Sequence, residues 1–341
     1  MKKKGLFWVL GWFALGITFV SAQVGGTATF RFLSLPSSAD QVGLGGKQTV
    51  DIHNNPLQNF INPALIDSAQ TQRVALNYSN WITDIHYGQL AYVWHTKLGP
   101  IFTGLHYINY GRFVEADELG NITGNFHGNE TAISLGYAYR LHKRWHAGIN
   151  LKWIHSVLAN YRSNGLAIDL GVLYKNNRGG SLALVLRNIG KQLTTYNGTN
   201  EPLPFEIDIT YAQLLEHAPL RLFLTAENLQ KPRIAFINTA YDQTDPNGNI
   251  IHQNIGFVDH VFRHIIVGAE FFPRKRFNLR MGYNFRRAAE LGLKDIHFSS
   301  GLSFGMRIHL GKFDVQYGYG QMHAAGNNHF IGLILLLNPN S

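Results

Sequence analysis

From Arg73 onward, apolar and polar residues alternate with a period of two, segment after segment, almost to the end of the chain. The stretch 145–153 is the cleanest case: Trp145, Ala147, Ile149, Leu151 and Trp153 alternate with His146, Gly148, Asn150 and Lys152. Successive side chains of a strand point to opposite faces, so this pattern makes one face apolar and the other polar. Fourteen segments read this way: 73–80, 86–96, 101–113, 130–140, 145–155, 165–175, 181–189, 204–212, 220–229, 261–272, 277–286, 297–310, 313–321 and 329–337. An even number of strands of roughly ten residues, apolar towards lipid and polar towards the interior, predicts an all-β chain. The expected fold is a transmembrane antiparallel β-barrel of about 14 strands.

The connections support the same count. Those after even strands (97–100, 141–144, 176–180, 213–219, 273–276 and 311–312) are short, whereas 114–129, 190–203 and 230–260 are long. Short turns at the end that holds both barrel termini and long loops at the other is the outer-membrane arrangement. The short turns are basic, with Lys97, Arg140, Lys143, Arg144, Lys175, Arg178, Arg274, Lys275, Arg276 and Lys312. The long loops carry Glu115, Asp117, Glu118, Glu201, Asp242, Asp245 and Asp259. Basic turns suit anionic head groups or an acidic partner, or serve only to solubilise the turns; outer-membrane lipid and lipopolysaccharide are expected contacts of the barrel as a whole.

Sorting each strand by parity gives its two faces. Leu166, Ile168, Leu170, Val172 and Tyr174 form a lipid-facing row, as do Phe277, Leu279, Met281, Tyr283 and Phe285. The opposite rows hold Arg73, Lys152, Asp169, Arg187, Glu206, Asp208, Arg221, Glu227, Glu270, Arg280, Arg307 and Asp314. Mixed signs in a narrow lumen predict ion pairs that fill the barrel rather than a charge-selective ring. Gly148, Gly171, Gly268, Gly282, Gly301, Gly305 and Gly318 lie in the same rows and leave room for large neighbours or an inserted segment.

The first 72 residues lack the alternation. Lys2, Lys3 and Lys4, an apolar run to Val20, and Ser21-Ala22 read as a signal peptide over 1–22, cut before Gln23. Residues 23–72, rich in Gly and Pro, are expected to form a hatch inside or beneath the barrel of 73–338. Composition adds exclusions. There is no cysteine, so no disulfide forms, and the net charge of +9 includes the three N-terminal lysines, leaving +6. No stripe of Lys and Arg interleaved with aromatics appears, so nucleic acid is not an expected partner. P-loop, GxSxG and HExxH motifs are absent, and no enzyme activity or cofactor is expected. His142 and His146 flank a basic turn, and Asp242 to Asn249 lacks the closing Glu of a calcium loop, so no metal site is expected.

The pre-barrel segment carries a resemblance. Gly25-Gly26, the run Phe30-Arg31-Phe32-Leu33-Ser34-Leu35-Pro36-Ser37-Ser38-Ala39, then Gly43-Leu44-Gly45-Gly46 and Asn62-Pro63-Ala64-Leu65 resemble the start of the PorQ/PorV group. These are barrel proteins of the type IX secretion system, related to the long-chain fatty acid transporters with their 14-stranded barrel and N-terminal hatch. The resemblance implies a hatch motif of Asn62, Pro63, Ala64, Gly45 and Gly46. It also implies a non-catalytic anchor for a PorZ-like surface protein, working with PorU and PorV. A partner would meet the outer loops 114–129 and 230–260, with Tyr241, Asp242, Asp245 and Asn247 as candidate contacts. Asp40 departs from the group, which has Arg there. The alternative is a transporter of hydrophobic molecules, in which Phe30, Phe32, Leu33 and Leu35 line an apolar pocket. The alternation of those four would equally seat a strand against the barrel or a partner.

Overall fold

The computed structural model describes residues 28–235, 242–244, 250–251, 255–292, 297–323 and 326–337. The expected signal peptide, Gly25-Gly26, and the candidate contacts Tyr241, Asp245 and Asn247 lie outside these residues. Fourteen strands close into one antiparallel barrel: β1 (Arg73–Ile82), β2 (Ile85–Thr96), β3 (Gly99–Ala116), β4 (Ile122–His142), β5 (Trp145–Leu158), β6 (Tyr161–Lys175), β7 (Gly180–Thr194), β8 (Glu206–Leu214), β9 (Leu220–Ala226), β10 (Ile265–Phe271), β11 (Phe277–Asn284), β12 (Leu302–Leu310), β13 (Phe313–His323) and β14 (Gly326–Leu336). Each pairs with its sequence neighbours, and β1 pairs with β14 from Arg73↔Leu336 to Asn80↔His329, which leaves the barrel no free edge.

The faces sort as the alternation predicts. On β5, Trp145, Ile149, Leu151 and Trp153 are exposed on the outside, while Asn150, Lys152 and Ile154 are fully buried in the lumen. Aromatic rings gather at both ends of the outer surface. Tyr92 with Trp94, and Trp145 with Tyr174, mark the end with short turns; Tyr78 with His86, and Trp153 with His155, mark the other. Such girdles sit at membrane interfaces.

Several boundaries differ from the sequence expectation. Residues 114–129 are not a free loop: β3 and β4 run on as a hairpin whose turn is only 117–121, with Phe113 stacked on Phe126 at 5.1 Å. In that exposed turn the Asn121 side-chain amide and nearby backbone N–H groups hold the Asp117 carboxyl below the usual range. Helices replace three predicted strand ends. Phe257–Phe262 (α2) precedes β10, Phe285–Leu291 (α3) follows β11, and His297–Gly301 (α4) precedes β12. In α3, Asn284 accepts from the Arg287 N–H at 3.0 Å, a cap that turns a strand end into a helix start. β9 ends at Ala226 rather than 229.

Residues 28–72 fill the lumen. The described part of this segment starts at the outer end, where the Thr29 N–H donates to the Pro202 carbonyl at 3.0 Å. It then runs through a short helix, Ala39–Gly43 (α1), and a series of 3-10 turns. Asn and Asp start these turns. Asn55 accepts from the Leu57 N–H, Asn62 from the Ala64 N–H and Asp67 from the Ala69 N–H, and Pro56 and Pro63 follow the two asparagines. A proline after an Asx cap fixes the next φ and has no N–H to leave unmet, so each turn closes by itself. The Phe30 to Leu35 run is not a strand: Arg31–Ser34 forms a 3-10 turn entered through Phe30 at φ 54°.

Candidate functional site

The lumen is where hatch and wall meet, and three glycine pairs make that contact possible. Gly148 faces Gly171, Gly268 faces Gly282, and Gly305 faces Gly318 across neighbouring strands. A Cβ on Gly148 would overlap the Pro63 carbonyl, and one on Gly171 would overlap the Asn62 side chain. One on Gly282 would overlap the Leu44–Gly45 backbone, and one on Gly318 the Ala39 carbonyl. The hatch motif thus lies in troughs that only glycine leaves open. Gly45 and Gly46 adopt φ values of +96° and +106°, which L-residues rarely take. Asn62 also donates to the Thr49 carbonyl at 2.7 Å, tying two parts of the hatch together. Gly301 is different: it ends α4 and lies against Ala288.

The luminal charges form two larger sets of buried pairs and two further pairs. Lys152 meets Asp169 at 2.7 Å. Arg187 bonds to Glu206 and lies 3.3 Å from Asp208, and Lys47 of the hatch reaches Glu206 at 2.6 Å. In the second set Arg280 bonds to Asp40 of the hatch and to Glu270 at 3.0 Å, and His53 of the hatch meets Glu270 at 2.7 Å. Arg307 pairs with Asp314, and Glu227 with Arg286 at 3.1 Å. Asp40, the departure from the group pattern, therefore supplies the hatch side of a wall ion pair. Arg221 differs from its predicted companions: it is half-buried, with its guanidinium 5.3 Å from the Phe223 ring centroid.

These pairs occupy one arc of the lumen, β5 to β13. The remaining arc, β14 through β1 to β4, is neutral over most of its height, its charged inward residues being Arg73 at one end and Glu130, which accepts from the Tyr110 hydroxyl, at the other. Its uncharged inward residues are Phe330, Gly332 and Ile334; Ala75, Asn77 and Ser79; Tyr87, Gln89, Ala91 and Val93; Phe102, Gly104, His106 and Ile108; Ala132 and Ser134. Against this arc the hatch presents Phe32, Leu33, Leu57, Phe60 and Ile66, all buried, while Phe30 lies against Gly165 of β6 and Tyr196. Phe60 meets Phe102 edge-on at 5.0 Å. Lys47, His53, Phe60 and His106 were not singled out by sequence pattern. His106 could have been, as an imidazole on the inward row between Gly104 and Ile108. Of the predicted outer contacts, only Asp242 is described, beside a two-residue hairpin pairing Gln243–Thr244 with Ile250–Ile251.

No family model matches the chain, and no curated protein matches it. Among solved structures it is similar to the Pseudomonas putida toluene transporter TodX, at 12% identity and a TM-score of 0.52, over 88% of this chain and 97% of that one. It is likewise similar to the Ralstonia pickettii toluene transporter TbuX, at 11% identity and a TM-score of 0.51, over 89% and 97%. At such identities the fold is what is shared, across nearly the whole of both chains: a closed antiparallel barrel of 14 strands.

Proposed function

We propose that this chain is an outer-membrane barrel that takes up small hydrophobic molecules and holds them in the neutral arc of its lumen. The observation that carries the reading is that arc itself, apolar and aromatic from Ile334 to Phe330 and from Val93 to Tyr87, packed against hatch phenylalanines. Pockets for such ligands are apolar with few polar groups. The shared fold with two toluene transporters supports it.

A second reading has its own observation. The β3–β4 hairpin lifts Val114, Leu119 and Ile122 into the open, Leu119 being 88% and Ile122 75% exposed. With the resemblance of the hatch motif, this supports an anchor for a PorZ-like surface protein. One preparation separates the two. The barrel is reconstituted in liposomes and offered labelled toluene and labelled long-chain fatty acid, and mild-detergent extracts of the native membrane are searched for bound partners. Saturable uptake is expected. No uptake, together with recovery of a large surface protein that is lost when 117–121 is trimmed, would turn the assignment to the anchor.

A further inference from the structure

The neutral arc contains polar atoms that its own packing leaves unmet. His106 is 1% exposed and faces the lumen from β3, across from Gln89 of β2 and Ala132 of β4. Its ring stacks on Phe60 of the hatch, centroids 4.0 Å apart and planes at 19°; Phe32 meets it edge-on at 6.4 Å, and Tyr87 lies 6.1 Å away. Neither imidazole nitrogen has a hydrogen-bond partner. The nearest polar side chain is already committed, since Gln89 donates to the Pro36 carbonyl at 3.0 Å and accepts from Asn77 at 2.8 Å.

Three hydroxyls in or beside the same cluster share this condition, that of Tyr87 itself among them. Ser79, opposite Tyr87, and Ser134, opposite Gly104, are both buried and unpartnered. Buried polar groups are nearly always paired, with protein or with water, because an unmet one forfeits its hydration for nothing. Four such side chains, one on each of the adjoining strands β1 to β4 and around one aromatic cluster, offer polar atoms that a guest could meet.

We infer that the preferred guest is an aromatic alcohol rather than a plain hydrocarbon or a fatty acid. This rests on the reading of the barrel as a carrier of hydrophobic molecules. A neutral imidazole has one donor and one acceptor, and a phenolic hydroxyl can meet either. The guest's ring takes the place of the Phe60 ring on His106. A carboxylate is less well served: Lys152 and Arg187, the cations whose charge reaches His106, are held by Asp169 at 2.7 Å and by Glu206 and Asp208. An unpaired carboxylate would then be desolvated without a counter-ion.

The test is a fluorine NMR titration of the full barrel in detergent micelles with 4-fluorophenol and fluorobenzene, each corrected for partition into empty micelles. The wild type should bind 4-fluorophenol about ten-fold more tightly, the scale of one buried hydrogen bond. His106→Phe keeps a ring on Phe60 and should bind both probes alike; Ser134→Ala should lose part of the preference. The shift of electrophoretic mobility on heating shows that each variant is folded. Equal affinities in the wild type, or a preference that survives in His106→Phe, would overturn the inference and leave the transport reading standing. A folded wild type that binds neither probe would overturn both.

Discussion

The two arcs of the lumen hold the same hatch differently: one adds buried ion pairs to apolar contact, and the other does not. From β5 to β13 ion pairs tie it down, since Asp40 and Lys47 reach wall charges of opposite sign and His53 meets Glu270, beside an apolar cluster of Leu44, Val50 and Ile52 with Leu173 and Phe223. From β14 to β4 the contact is apolar, with Phe32, Leu57 and Phe60 against Tyr87, Phe102 and Phe330. The means differ in how they fail. Removing one member of a buried ion pair strands a charge where water cannot reach it, whereas an apolar side chain that moves aside can be replaced by any other apolar group. A guest can enter the second arc by exchanging one ring for another. To enter the first it would have to break charges apart. The lumen is thus fixed on one side and exchangeable on the other.

Breaking the ionic arc should have the largest effect. Arg280 is fully buried and serves both Asp40 and Glu270, so Arg280→Met leaves two carboxylates short of a partner. The expected loss is about 4 kcal/mol in urea unfolding of the refolded barrel. A loss below about 1 kcal/mol would mean that water reaches these groups and that the arc is not dry.

The same measurement on the apolar arc should return a smaller number. Phe60→Leu keeps most of the buried volume while losing the stack on His106 and the edge contact to Phe102, so about 1 kcal/mol is expected. Were Phe60→Leu as costly as Arg280→Met, the apolar side would be as rigid as the ionic one, and the contrast between them would collapse.

Sequence shows the wall well and the lumen only in outline. Alternation is a local signal with a fixed period, so β5, β6 and β13 could be placed within a few residues. It gave out where a strand hands over to a helix, at 285 and 301. There Asn284 is as good a strand residue as a cap, and the choice lies in the hydrogen bond that it makes to Arg287. The inward charges could be named by parity, but not their pairing, because Arg280 and Asp40 are brought together by hatch insertion and not by neighbouring positions. The inward glycines were visible too. Their meaning became clear only from register, which sets Gly148 beside Gly171 beneath Asn62 and Pro63. His106 lay hidden for a similar reason: a histidine in a strand is unremarkable until its neighbours are seen to offer it no hydrogen bond.

The smallest expected effect sharpens the comparison most, because it tests dryness without changing a residue. Ions screen exposed charges over a Debye length that falls from about 10 Å at 0.1 M to about 3 Å at 1 M, but buried pairs are screened far less. Lys152, Asp169, Arg187, Asp208, Glu270 and Arg280 are all fully buried, so dissolved salt has no path to their pairs. Raising sodium chloride from about 0.05 M to about 0.5 M should therefore change the unfolding free energy of the wild type by less than about 0.5 kcal/mol. The outer turn around Asp117 and the basic short turns are exposed and will respond, yet such pairs are worth little individually. A strong loss of stability with salt would place the ionic arc in contact with water. The hatch would then be held by screened, exchangeable charges, and the ionic side would be as open to a guest as the aromatic one.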